Sequence, residues 1–137
     1  MNPMKTNLID HISIAVRDLD KARETYENIL GLELDCILVV PKEKIRIARY
    51  YLGEVALELM EPMGEGEVSR FLETKGEGVF LISFRVPDVV EAMTELEKRG
   101  YKLIDKKPRS IAGIRYVFLL HPRETNGVLL ELADRGV

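Results

Sequence analysis

The sequence predicts an α+β domain made of two tandem β-α-β-β-β modules. Three observations carry this. Ile9-Asp10-His11-Ile12-Ser13-Ile14-Ala15-Val16 alternates like a strand and is echoed by Phe80-Leu81-Ile82-Ser83-Phe84-Arg85-Val86, at an offset of 70 residues from Ile12 to Ile82. Each copy is followed by a capped helix pattern, Asp18-Leu19-Asp20-Lys21-Ala22 and Asp88-Val89-Val90-Glu91-Ala92. Later, Leu57-Glu58-Leu59 pairs with Leu130-Glu131-Leu132 at an offset of 73. Self-similarity at a nearly fixed spacing is the signature of a repeated structural unit. Runs of strands flanking single helices suit an α+β arrangement and not a doubly wound sheet.

The first strand spans 8–16. Its even positions Leu8, Ile12, Ile14 and Val16 make an apolar face that should pack on a helix. Its odd positions His11, Ser13 and Ala15 are small or polar and could line a cavity. Asp18 caps a helix to Leu30, with Leu19, Ala22, Tyr26, Ile29 and Leu30 at helical spacing and Gly31 as the stop. Strands are expected over 34–40, 44–52 and 55–60, with Pro41 ending the first and Gly53-Glu54 turning between the last two. Module one therefore runs 7–62. A linker, 63–78, holds a short helix pattern around Val68 to Lys75. Module two runs 79–134: a strand at 79–86, a helix from Asp88 to Gly100 with core positions Val89, Ala92, Met93 and Leu96, and strands at 101–105, 114–120 and 128–133.

The totals bound the function. The chain has 137 residues, enough for one domain or two small halves. It is 46% hydrophobic and 31% charged with a net charge of −3, so it is globular and has no overall basic field for nucleic acid. No apolar run approaches ~18 residues and no signal-peptide pattern opens the chain. No membrane partner is expected, and a cytoplasmic location is. The single cysteine, Cys36, sits in an apolar run and reads as a buried thiol. Residues 1–6 read as a loose terminus.

His11, Glu58 and Glu131 stand out because each lies on a strand whose other face is strongly apolar. An imidazole and two carboxylates form a mixed N/O donor set suited to a divalent metal. Without a cation, two such carboxylates need a shared proton or a histidine partner. The bland alternative is a structural histidine and two solvated glutamates, against which the duplicated position of Glu58 and Glu131 weighs.

Seven motifs carry a resemblance: Ile9-Asp10-His11-Ile12, Gly31-Leu32-Glu33-Leu34, Glu58-Leu59-Met60-Glu61-Pro62, Phe71-Leu72-Glu73, Gly76-Glu77-Gly78, His121-Pro122 and Gly127-Val128-Leu129-Leu130-Glu131-Leu132. With them the whole chain resembles the vicinal oxygen chelate (glyoxalase/bleomycin resistance/dioxygenase) superfamily, and within it the methylmalonyl-CoA epimerases. The resemblance implies a curved mixed sheet around a central cleft, helices on its outer face, and homodimers. It implies a divalent ion (Co, Mn, Zn or Ni) held by His11, Glu58 and Glu131, Glu131 as the base, and an acyl-CoA as small-molecule substrate. His121 and Arg115 are candidate substrate-binding residues, with Arg109 and Arg123 as further cations for CoA phosphates. Two positions depart from the pattern. Leu81 stands where a fourth ligand is expected, and Ile47 stands where some epimerases carry a second acid-base carboxylate. The implied function is a metal-assisted isomerase that takes the proton beside a thioester carbonyl. The alternatives are a metal-free small-molecule-binding member, which Leu81 would suit, and a glyoxalase I-like lyase.

Overall fold

The computed structural model describes residues 5, 6 and 8–135. The expected loose terminus therefore lies, for residues 1–4, outside the described residues. The elements are β1 (Ile9–Ala15), α1 (Leu19–Leu30), β2 (Leu34–Val40), β3 (Ile45–Leu52), β4 (Val55–Pro62), α2 (Glu67–Lys75), β5 (Gly78–Arg85), α3 (Val89–Lys98), β6 (Arg109–Ile111), β7 (Ile114–Phe118), a single 3-10 turn (Pro122–Glu124) and β8 (Leu129–Asp134). The α+β class and the tandem β-α-β-β-β order are as the sequence predicts. Among the described residues no helix is long and apolar enough to cross a membrane. The chain divides into two compact units, one of residues 11–80 and one of residues 81–135 with the described residues before His11.

In the first unit the strand order is β2-β3-β4-β1, with β1 parallel to β4 and the other neighbours antiparallel. Asp18 caps α1 by accepting from Lys21 N, and Gly31 ends it in the left-handed region at φ 65°. The core holds Val16, Leu19, Ala48, Tyr50 and Leu59, with Ile14, Ala22, Tyr26 and Leu57 packed on it. Ile14 and Val16 of the even face thus lie under α1, as their alternation requires, while Asp10 on the same face does not join that core. The apolar stripe of α1 covers only its first two turns, since Ile29 is 74% and Leu30 57% exposed. The linker helix is present as α2, and its Phe71 meets Phe80 edge-on at 5.3 Å.

Tyr50 is fully buried, and its hydroxyl donates to Glu27 Oε2 at 2.7 Å. Burial, then the hydrogen bond to Glu27, pushes the phenol up to about 12. An unfolded phenol ionises near ~10, so the folded state keeps a proton the unfolded chain gives up. Its stabilisation is complete below pH ~10 and is lost as pH rises through the folded value, by about 2–3 kcal/mol. Tyr50→Phe should flatten the fall of urea stability between pH ~9.5 and ~12; equal slopes in both proteins would refute the buried-phenol account.

The second unit repeats the pattern as β5-β8-β7-β6, with β5 parallel to β8. Asp88 caps α3 through Val90 N and Glu91 N. Val89, Ala92 and Met93 enter a core with Val86, Leu103, Val117 and Leu132, and Leu96 packs against it. Asp10 is 1% exposed, and its Oδ1 takes Arg85 Nε at 2.9 Å and Arg135 Nε at 3.1 Å, which supplies the counter-charge a buried carboxylate needs.

One strand differs from expectation. Residues 101–105 form no ladder strand, and β6 begins at Arg109. Ile104 N still reaches Leu119 O at 2.7 Å. At the next residue Asp105 N reaches Phe118 O at 3.3 Å, while the Asp105 carboxylate accepts from Phe118 N at 2.9 Å and Arg109 Nε at 3.0 Å. A side-chain acceptor there competes with continued backbone pairing, and Pro108 has no N–H to offer a ladder.

Both modules anchor their helix in the same way. Leu19 N, in the first turn of α1, donates to Glu61 Oε2 at 2.8 Å, and Arg46 Nε holds Oε1 at 3.3 Å. Val89 N, in the first turn of α3, donates to Asp134 Oδ2 at 2.8 Å. Arg115 grips the same carboxylate, Nε to Oδ1 at 3.1 Å and Nη2 to Oδ2 at 2.7 Å. In each module an arginine on one strand faces, in register, an acid on the last strand, and that acid satisfies an otherwise orphaned helix N–H.

Candidate functional site

The face of the first unit's sheet opposite α1 carries the candidate residues. In register, Ser13 on β1 pairs with Glu58 on β4, and Glu58 pairs with Arg49 on β3. His11 is two residues before Ser13 and shares its face. The row is sequestered: His11 is 9%, Ser13 0% and Glu58 2% exposed.

The geometry centres on the Glu58 carboxylate. Oε1 accepts from Ser13 Oγ at 3.2 Å and lies 3.7 Å from His11 Nε2. Oε2 takes two donors of one guanidinium, Arg49 Nε and Nη2, both at 2.8 Å. Burial alone would lower the Arg49 pKa, but the charge of Glu58 and its hydrogen bonds outweigh burial and raise it. Charge-assisted contacts of this length are among the strong hydrogen bonds.

Module two has the same frame with different occupants. Glu131 on β8 is 3% exposed and pairs in register with Ser83 on one side and Phe118 on the other. Leu81 takes the position of His11 and is 1% exposed, while Phe118 takes that of Arg49. Ser83 Oγ is buried with no hydrogen-bond partner among the described residues, unlike Ser13. The duplicated acids thus differ at two equivalent register positions, since Glu58 has His11 and Arg49 where Glu131 has Leu81 and Phe118, with a serine paired to each. Contrast of this kind is how two carboxylates come to serve different roles.

The remaining candidates fall outside these rows. Arg115 is committed to Asp134, and Arg109 lies 4.4 Å over the Phe118 ring while bound to Asp105. His121 is exposed at the start of the 3-10 turn, its Nδ1 accepting from Arg123 N at 3.2 Å. Cys36 is half-buried, and burial, then the hydrogen bond with Asp35, pushes its thiol up, away from nucleophilic reactivity. Ile47, at the place considered for a second acid, is 2% exposed. Met60 is buried and Met63 is 56% exposed.

A divalent ion finds a poor donor set here. The first unit offers His11 and Glu58, and within neither unit do three or more His, Cys, Asp or Glu side chains among the described residues form a group that could hold a metal. An ionised carboxylate has about four acceptor positions. On Glu58 two of these go to Arg49, one goes to Ser13, and His11 faces the fourth.

Arg49 escaped the reading of the sequence, although a signal was present. A hairpin turning at Gly53-Glu54 pairs Leu52 with Val55, and counting outward from it pairs Arg49 with Glu58.

Comparison with known proteins agrees with this architecture. The chain is 40% identical over 129 residues to YqjC of Bacillus subtilis, an uncharacterised protein, covering 93% of this chain and 92% of that one. It is 31% identical to the human mitochondrial methylmalonyl-CoA epimerase, covering 90% of this chain and 72% of the relative. A methylmalonyl-CoA epimerase variant from Streptomyces coelicolor, solved in complex with 2-nitronate-propionyl-CoA, superposes with a TM-score of 0.90 at 31% identity, covering 97% of this chain and 100% of the other. The family model of the Glyoxalase/Bleomycin resistance protein/Dioxygenase superfamily matches residues 10–118. By its repeated modules and by that match, the chain belongs to this superfamily.

Proposed function

We propose that the protein is a methylmalonyl-CoA epimerase-like isomerase that exchanges the proton on the carbon beside an acyl-CoA thioester carbonyl. The observation that carries this reading is the nearly full-length likeness to an epimerase holding an acyl-CoA analogue. The buried His11–Glu58 pair supports it, because a sequestered imidazole with a carboxylate oxygen 3.7 Å from its Nε2 is a group fit for proton chemistry. In this reading Glu131 is the base. It takes the C2 proton, the C–H electron pair becomes the C=C bond of an enolate, and the negative charge moves to the former carbonyl oxygen. A proton from water adds to the other face of C2, Glu131 gives its proton up to water, and inversion is complete with the base restored. No step is assigned to a metal, because Glu58 is already held by Arg49 and Ser13. A cytoplasmic homodimer acting on an acyl-CoA is part of the same proposal.

The test is deuterium wash-in. In D2O, 2-methylmalonyl-CoA should gain deuterium at C2, by mass spectrometry, at least ~100-fold faster with the protein than without it. Exchange at the buffer rate, with 2-nitronate-propionyl-CoA still bound, would replace this reading with that of a non-catalytic small-molecule-binding member. Leu81, buried where the epimerase pattern has a ligand, favours that second reading.

A further inference from the structure

We infer that Arg49 is the resident counter-cation of Glu58, and that this guanidinium holds the place on the carboxylate that a divalent ion would otherwise need. Both Nε and Nη2 lie 2.8 Å from Oε2, and the side chains are 13% and 3% exposed, so the pair is sequestered and not a surface contact. The register puts Arg49 directly across from Glu58, and that position is fixed by the β3–β4 hairpin. Ser13 occupies Oε1 at 3.2 Å. A divalent ion on the same carboxylate would have to displace a hydrogen-bonded arginine or share a buried anion with its positive charge.

The comparison between modules points the same way. At Glu131 the position of Arg49 is filled by Phe118 and that of His11 by Leu81. Neither side chain carries a charge, so the arginine of module one has no counterpart at the equivalent register position of module two. Arg49 is therefore a positioning residue: its two N–H donors fix the rotamer of Glu58 in the buried row. The inference concerns the ion and not the reaction, so it can fail while the exchange experiment succeeds, and the reverse.

Co2+ alone is the probe. By equilibrium dialysis, the full-length wild type should show no uptake that Glu58→Gln removes. Arg49→Met should bind Co2+ about 10- to 100-fold more tightly, the scale on which changes around a metal site act. Arg49→Lys, which keeps the positive charge, should not. One Co2+ per wild-type chain that disappears in Glu58→Gln would overturn the inference, as would a folded Arg49→Met protein with no gain in affinity. If Arg49→Met does not fold, the 15N-labelled wild type decides. The Arg49 Nε–H resonance should persist unchanged when one equivalent of Co2+ is added, and paramagnetic loss of that resonance would reject the inference.

Discussion

Arg49→Met is expected to lower stability by about 3–5 kcal/mol, because it strands the buried Glu58 carboxylate without its partner. For a chain of this length that is a fall in Tm of roughly 10–20 °C. The size comes from the orphaned charge and not from the worth of the pair itself, which is balanced against the cost of burying both groups. Adding Glu58→Leu should therefore restore most of the loss, to within about 1–2 kcal/mol of the wild type. Urea denaturation of the four proteins of the cycle measures this. A coupling below about 0.5 kcal/mol would mean that the pair does not form in solution.

Glu131→Gln should reduce deuterium wash-in by about 100- to 10,000-fold, the span over which a positioned base contributes. The shape of the side chain is kept, so Tm should move by no more than a few degrees. Glu58→Gln serves as the contrast. In the proposed scheme Glu58 touches no reacting atom, so Glu58→Gln should lower exchange far less than Glu131→Gln does. Should Glu131→Gln retain exchange within a factor of about three, the base lies elsewhere and the assignment of roles to the two acids fails.

Most of the fold could be read from the sequence because its signals are local. Alternation in 8–16 located β1 and the face it gives to α1, while Asp18 and Asp88 marked both helix starts. The stripe of α3 was legible to the residue. What failed depended on partners distant in sequence. A strand is expected over 101–105, but only Ile104 and Asp105 pair by their backbone N–H with Leu119 and Phe118, and the Asp105 carboxylate takes Arg109 and the N–H of Phe118. Arg115 looked like a cation for a ligand until its register placed it opposite Asp134. For the site, His11 and Glu58 were found as the residues that break an apolar pattern, and the structure brings them within 3.7 Å. Arg49 breaks no pattern, since it shares its strand with a second arginine, Arg46. Only the pairing of strands reveals that it belongs to Glu58.

The twin helix anchors bear on the order in which the chain assembles. The hydrogen bond from Leu19 to Glu61 closes a span of 42 residues, and the one from Val89 to Asp134 closes 45. Closing spans of this size costs little more entropy than closing shorter ones, and neither bond draws on residues of the other repeat. A nascent chain holds everything the first anchor needs once Glu61 has left the ribosome, while the second repeat is still being translated. The first anchor can then close before the second, whereas Asp10 waits for Arg85 and Arg135.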